Sequence, residues 1–371
     1  MSLFFFLILI VFYAGLIGVA FYRFIGKGDD SYLLWLILLL FPVYSHILSV
    51  TYMVTGSTVL VNIVRASKDL VFFMAIFSFF LFQKNPFKQV YRLVLLDYLF
   101  LLFFGLAFAY LVLPLGESSF LNKALYFKNM SYMGIVYLIG RNSRMEGIQV
   151  LKIGKVIIWI ALIAFLVGLA EKSFNTHLHT LTGYLQYQLD FNEIEPTGNH
   201  GLTWTFEASD GTKRFGSIFS NPLEYSASML MLIPIVFFFL VKTRHSSNKH
   251  IYMLALIAVV ANVYFAYSRS SMMAVFVVFL FIALHQHYYR FLGAVVFSFL
   301  CVVFYVLNFA EEDTKYFFID TVLFRESSAL GHALEWFNAI ESMIANPIGI
   351  GLATSGNAAG VVDETHVGGE N

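Results

Sequence analysis

Long apolar runs alternate with short polar connections along most of this chain. The runs occupy residues 3–22, 31–52, 63–83, 92–114, 121–140, 151–171, 222–241, 250–267, 271–286 and 290–309. About 20 residues at a rise of 1.5 Å cross the ~30 Å hydrocarbon core of a bilayer. In hydrocarbon the backbone must satisfy its own hydrogen bonds, and a helix does so within one segment. The pattern therefore predicts an all-α, polytopic integral membrane protein with about 10 transmembrane helices. Arg65, Lys68 and Asp69 open the third run, and Lys123 and Lys128 sit in the first half of the fifth. Only Tyr267-Ser268-Arg269-Ser270 separates the eighth from the ninth, which fits a hairpin or one bent helix.

Two stretches break the pattern. Residues 172–221 are polar, with Gly, His, Asn, Thr and acidic residues. Residues 310–371 are mixed and end Gly-rich. Within them Leu330, Leu334, Phe337, Ile340 and Ile344 recur at helical spacing, predicting an amphipathic helix over about 329–344 that Asn346-Pro347 terminates. The expected organisation is a transmembrane helical domain, 1–309, with the polar segment 172–221 as an outer loop, followed by an extracytoplasmic segment, 310–371. The first run, Leu3 to Phe21, has no basic leader and no small-residue cleavage site, so it reads as a retained helix.

Composition agrees. Charged residues are 12% of the chain and hydrophobic ones 59%. A soluble domain carries about a quarter charged residues to wet its surface. The formal net charge of +0 gives no reason to expect nucleic acid. Cys301 is the sole cysteine, so no intrachain disulfide is possible.

The basic residues set an orientation. Arg23 and Lys27, then Lys84, Lys88 and Arg92, then Arg141, Arg144, Lys152 and Lys155, then Lys242, Arg244 and Lys249, and finally Arg290 fall in alternate short connections. Lysine and arginine in short loops stay cytoplasmic. The N-terminus and both long polar segments are thereby expected outside.

Three arginines remain on that outer face. Arg214 opens Arg214-Phe-Gly-Ser-Ile-Phe-Ser-Asn221-Pro222 before the seventh run. Arg269 sits in the serine-flanked turn between the eighth and ninth, and Arg325 precedes the amphipathic helix. Arginine is always charged and forks onto phosphate oxygens, although a single arginine at this depth can equally be an interface anchor. Gly216, Asn221 and Pro222 suit a sharp entry into a helix, a purely structural role. In the tail, His366 can titrate near neutrality, and Asp363, Glu364 and Glu370 are candidate carboxylate bases. His177-x-His179 has weak metal-ligand spacing and no third ligand nearby. His46, within the second run, reads as packed and hydrogen-bonded.

The stretch from Arg214 to Pro222 resembles the R-x-G-x-x-x-x-N-P motif of the O-antigen ligase and polymerase superfamily. Ser268-Arg269-Ser270 resembles that family's outer turn. Arg325, Trp336 and Asn346-Pro-Ile-Gly349-Ile-Gly351 resemble its outer-loop helix and the ending of that helix. Arg65-Ala-Ser-Lys68-Asp69 fits as well. The resemblance is sharpest over residues 210–371. It implies an inverting glycosyltransferase that needs no metal or other cofactor and works on the outer face of the bacterial inner membrane. Its substrates would be polyprenyl-diphosphate-linked glycans within membrane lipid, and its partners a flippase and a chain-length regulator. By that resemblance Arg214, Arg269 and Arg325 bind diphosphate, and His366 or Glu370 acts on the acceptor hydroxyl. Family ligases carry a His-Asn pair where this chain has Glu370-Asn371, which favours polymerase. The family has about 12 membrane helices, so the resemblance implies a chain that continues past Asn371.

The alternatives are a ligase to lipid A core or to protein, and a lipid-glycan or small-solute transporter. Transporters gather ionisable groups at the bilayer midplane. Here Asp97 is the clearest charge within a run, and the polar groups gather in the outer segments.

Overall fold

A computed structural model describes residues 2–82, 93–116, 118–142, 147–208, 211–243, 249–310, 312, 315, 319 and 327–354. Among them the secondary structure is helical, with one isolated antiparallel bridge between Glu207 and Lys213. The helices are α1 (Ser2–Phe21), α2 (Tyr32–Leu40), α3 (Tyr44–Thr55), α4 (Thr58–Phe82), α5 (Leu95–Val112), α6 (Phe120–Asn142), α7 (Gly147–Phe174), α8 (Leu178–Leu181), α9 (Tyr184–Asn192), α10 (Pro222–Lys242), α11 (Lys249–Phe265), α12 (Arg269–His285), α13 (Tyr289–Phe309) and α14 (Ser327–Ala345).

Among the described residues six segments are long and apolar enough to cross a membrane: Phe6–Gly26, Tyr32–Thr55, Leu95–Val112, Gly147–Phe174, Pro222–Lys242 and Tyr289–Phe309. Lys249–Phe265 and Arg269–His285 are apolar but shorter. The chain is thus a helical membrane protein. Its exposed side chains say the same: Leu102, Val11, Met231 and Phe297 each present most of their surface outward.

Local chemistry explains where helices stop. The second apolar run is interrupted at Phe41–Val43, a tight turn of 3-10 helix with Pro42 at its start. Proline supplies no N–H there, so α2 and α3 are separate helices. Gly56, left-handed at φ 60°, ends α3 with its N–H on Tyr52 O. The helix that follows starts at Thr58, earlier than expected, so Arg65, Lys68 and Asp69 lie well inside α4 instead of opening it. The eighth and ninth runs form two helices joined at Ala266–Ser268, where Tyr267 has φ 47°. Of the two alternatives, the turn decides for two helices.

Two compact units divide the chain. The first comprises Met1–Tyr22, Leu34–Val71 and Arg144–Ile319; the second comprises Arg23–Leu33, Phe72–Ser143 and Asp320–Asn371. In the first, α10 packs on α11, α7 and α12. Ala161, Ala164, Ala255 and Ala258 are fully buried there, and small residues let helices approach closely. Tyr225, Met229, Ile233 and Val236 fill the α10 face. Polar links cross this core: Asn262 Nδ2 donates to Ala161 O at 3.1 Å, Ser271 Oγ to Ser226 Oγ at 2.9 Å and Tyr225 Oη to Ala164 O at 3.3 Å.

In the second unit α5 packs on α6, with the Phe100 and Tyr137 rings stacked at 4.0 Å. Gly134 gives the Phe104 ring its space. Asp97, in the first turn of α5, accepts from Val94 N at 2.8 Å and from Tyr137 Oη at 2.5 Å, and pairs with Arg141 at 3.4 Å. Its charge is therefore matched at a helix end.

Candidate functional site

The polar segment after α7 folds over one end of the first unit, and its centre is the Arg214–Pro222 stretch. Glu171, in the last turn of α7, is 4% exposed. Its two oxygens accept from two different backbones: Oε1 from Leu178 N at 2.7 Å and Oε2 from Ser217 N at 2.8 Å. One carboxylate thus fixes the start of α8 and the middle of the motif. Ser217 is fully buried in the left-handed region at φ 51°, and its hydroxyl donates to Ala164 O at 2.7 Å. The strain of a non-glycine residue there is offset by both of its polar groups being bonded.

Two histidines hold the rest of the stretch. His46 Nε2 donates to Ser217 O at 3.3 Å, and its Nδ1 pairs with Thr182 Oγ1 at 3.1 Å. His179 Nε2 donates to Ser220 O at 3.1 Å. The two rings lie 4.5 Å apart. Gly216 sits directly under His179: a methyl group on it would come within 2.9 Å of His179 Cε1. Asn221 then caps α10, its Oδ1 accepting from Glu224 N at 2.8 Å, with Pro222 in the first turn. Glycine, asparagine and proline in this motif are thus packing and capping devices.

His177 packs against the rings of Phe206 and Phe215, centroids 5.6 and 5.2 Å away. Burial, with Lys213 and His200 nearby, pulls its pKa down to about 4. Burial likewise pushes His179 well below the usual histidine value, with His46 and His177 adding to it. Both imidazoles are neutral at pH 7. Among the described residues no group of three or more His, Cys, Asp or Glu is arranged to hold a metal ion.

Arg214 and Arg269 belong to backbone segments that meet at this frame. Arg214 N donates to Phe206 O at 2.8 Å, and Phe215 N to Phe265 O at 3.1 Å. The second bond ties the motif to the last residue of α11, four residues ahead of Arg269. Arg269 begins α12, whose Met272 N donates to Ser268 O at 2.9 Å. Both arginines are half-buried at the same end of the unit. Lys172 lies there too, over the rings of Tyr264 and Phe265 at 4.3 and 5.4 Å. Arg325, His366 and Glu370 lie outside the described residues.

Arg65 and Lys68, on α4, face aromatic rings: Arg65 is 5.2 Å from Phe191 on α9, and Lys68 is 4.7 Å from Tyr44. Cation–π contact lets a charge sit beside apolar surface. In the second unit a cavity of about 430 Å³ opens between α4, α5 and α6, walled by Phe79, Phe100 and Phe104 with Asp97, Ser131, Tyr137 and Arg141 as its polar lining. It contains none of the residues expected to carry chemistry.

Sequence reasoning missed Glu171 and Thr182. A glutamate as the last residue of an apolar run was the available signal, since burying a carboxylate is expensive unless its oxygens are bonded. Comparison with family models, with curated proteins and with solved structures found no match for the chain.

Proposed function

We propose that this chain polymerises surface polysaccharide repeat units, moving glycan from a polyprenyl diphosphate to a lipid-linked acceptor on the outer face of the bacterial inner membrane. In this reading it crosses the membrane ten times, with its N-terminus and both long polar segments outside. The observation that carries the proposal is the Phe215 N to Phe265 O bond, which ties the Arg214 segment to the turn that bears Arg269. Two guanidinium groups from distant parts of the sequence thereby belong to one end of one helical unit.

The chemistry is a single displacement with inversion. The acceptor hydroxyl oxygen bonds to the anomeric carbon of the donor glycan while the bond from that carbon to the diphosphate oxygen breaks. His366 or Glu370 takes the hydroxyl proton. Arg214, Arg269 and Arg325 stabilise the negative charge that grows on the departing lipid diphosphate, where low surrounding dielectric strengthens each contact. No metal is required, because the arginines supply the positive charge. The apolar helix faces hold the lipid portion of both substrates, and Glu171, His46 and His179 keep the Arg214 stretch in place.

The test is deletion of the gene in its native host, with surface polysaccharide and lipid-linked intermediates read on gels and by mass. Accumulation of single lipid-linked repeats, reversed by the wild-type chain and not by Arg269→Ala, is the expected result. Accumulated long polymer would make the protein a ligase. Repeats trapped on the cytoplasmic leaflet would make it a transporter. Normal polymer length with Arg269→Ala would remove that residue from the chemistry.

A further inference from the structure

Helix α14 is 19 residues long, about 28 Å at 1.5 Å per residue. Its apolar side chains are turned outward: Phe337 is 69% exposed, Met343 70% and Ile344 78%, with Leu330, Leu334, Trp336 and Ile340 also open. At 100° per residue these positions fall on one half of the helix, which also carries Glu341 near its edge between Leu330 and Leu334, and Asn338, Ser342 and Glu335 fall on the other. Glu335 and Glu341 are the only charged residues in the helix, which has no lysine or arginine.

The end of this helix is fixed within the second unit. Beyond Ala345 the chain turns at Asn346, where Gly349 N donates to Asn346 O at 2.8 Å. The turn then rests on the connection between α5 and α6. A methyl group at Gly349 would lie 3.0 Å from Tyr110 Oη, and one at Gly351 would lie 2.5 Å from Leu115 O. Both glycines have positive φ, 92° and 102°, which permits this close approach. Ser118 Oγ donates to Ala353 O at 2.9 Å. Tyr110 is in the last turn of α5, a membrane-crossing helix that ends at Val112. The C-terminal end of α14 is therefore held at the height where α5 leaves the hydrocarbon.

We propose that α14 lies in the lipid–water boundary of the membrane, its apolar half in the acyl-chain border and its polar half toward water. Lipid is the occupant that fits, because the turn after α14 rests beside the end of α5, where Val112 and Leu113 are exposed apolar side chains. A helix with a wide apolar face and a polar back is the form that lies in such a boundary. The absence of lysine and arginine sets the kind of attraction. Apolar burial holds it, and anionic headgroups contribute nothing. This placement depends on the membrane embedding of α5 and not on the glycosyl-transfer reading.

The test uses the full chain with Cys301→Ser, carrying one nitroxide-labelled cysteine at a time in vesicles of zwitterionic lipid. The variants are Phe337→Cys and Ile344→Cys on the apolar half, and Asn338→Cys and Ser342→Cys on the polar half. The expected result is several-fold greater exposure to dissolved oxygen than to a water-soluble nickel chelate at 337 and 344, and the reverse at 338 and 342. The same profile is expected when a third of the lipid is anionic. Equal access of the chelate to both halves would put the helix in water and overturn the proposal. Shielding of 337 and 344 from both agents would mean that protein, such as a second copy of the chain, covers the apolar half, and would overturn it as well. Phe337, Asn338 and Ile344 are exposed and Ser342 is partly so, so these substitutions leave the fold intact.

Discussion

Replacing Glu171 should release the Arg214–Pro222 stretch while sparing the helical bundle beneath it. The side chain is almost fully buried, and its two oxygens are the hydrogen-bond acceptors of Leu178 N and Ser217 N. In Glu171→Ala both donors are stranded. A buried donor left without a partner costs about 1–3 kcal/mol, so the pair costs about 2–6 kcal/mol. Glu171→Gln keeps one acceptor oxygen and turns an amide N–H toward the other donor, so it should cost about half as much. Each 1.4 kcal/mol is about tenfold in an opening equilibrium. Hydrogen exchange of the full chain in lipid nanodiscs should therefore quicken by at least about tenfold at Ser217 and Leu178 in Glu171→Ala, with a smaller rise in Glu171→Gln. The amides of α11, beneath the site, should exchange as before. Unchanged protection of Ser217 and Leu178 in Glu171→Ala would refute the idea that this carboxylate holds the stretch in place. Uniform loss of protection through α7, α10 and α11 would also refute it, because the carboxylate would then be supporting the whole bundle.

Other outcomes follow from the same frame. Gly216→Ala drives a methyl group onto His179, and overpacking of this kind costs about 1–3 kcal/mol, measurable as a lowered melting temperature. His177 has a folded pKa of about 4 against about 6.5 in an unfolded chain, so the unfolded state binds the proton first. Its stabilisation is complete above about pH 6.5 and is lost as pH falls toward 4, at about 1.4 kcal/mol per pH unit. His177→Phe, which suits the ring contacts with Phe206 and Phe215, should flatten the fall in melting temperature between pH 7 and pH 5; an unchanged slope would assign the effect elsewhere. Arg269→Lys keeps the charge but loses the fork, so polymer in the complemented deletion strain should be shorter than wild type and longer than with Arg269→Ala. Gly116→Ala, at φ 75° and against Ile350 O, should speed exchange across residues 346–354 without altering α5.

The sequence by itself determined that this is a helical membrane protein, because run length and apolar content are local properties and hydrocarbon allows a spanning chain few alternatives. It also determined the amphipathic helix, read as about 329–344 and found as Ser327–Ala345, since a 3.6-residue period is written in consecutive positions. Asn221 and Pro222 showed the start of α10 for the same reason: capping is a matter of neighbours. Tertiary structure decided the site. His46 meets Thr182 across 136 positions and Ser217 across 171, and Glu171 meets Ser217 across 46. No local pattern encodes such pairings, which exist only because α3, α7 and the polar segment after α7 converge. The same holds for Arg214 and Arg269, whose residue types the sequence supplied and whose common setting came from one backbone bond between Phe215 and Phe265. The turn after α14 makes the point in the second unit, for Gly349 and Gly351 read as loop residues until Tyr110 and Leu115 are set against them. Helices in a membrane are specified one segment at a time, whereas a site is specified by which segments come to share an end of the bundle.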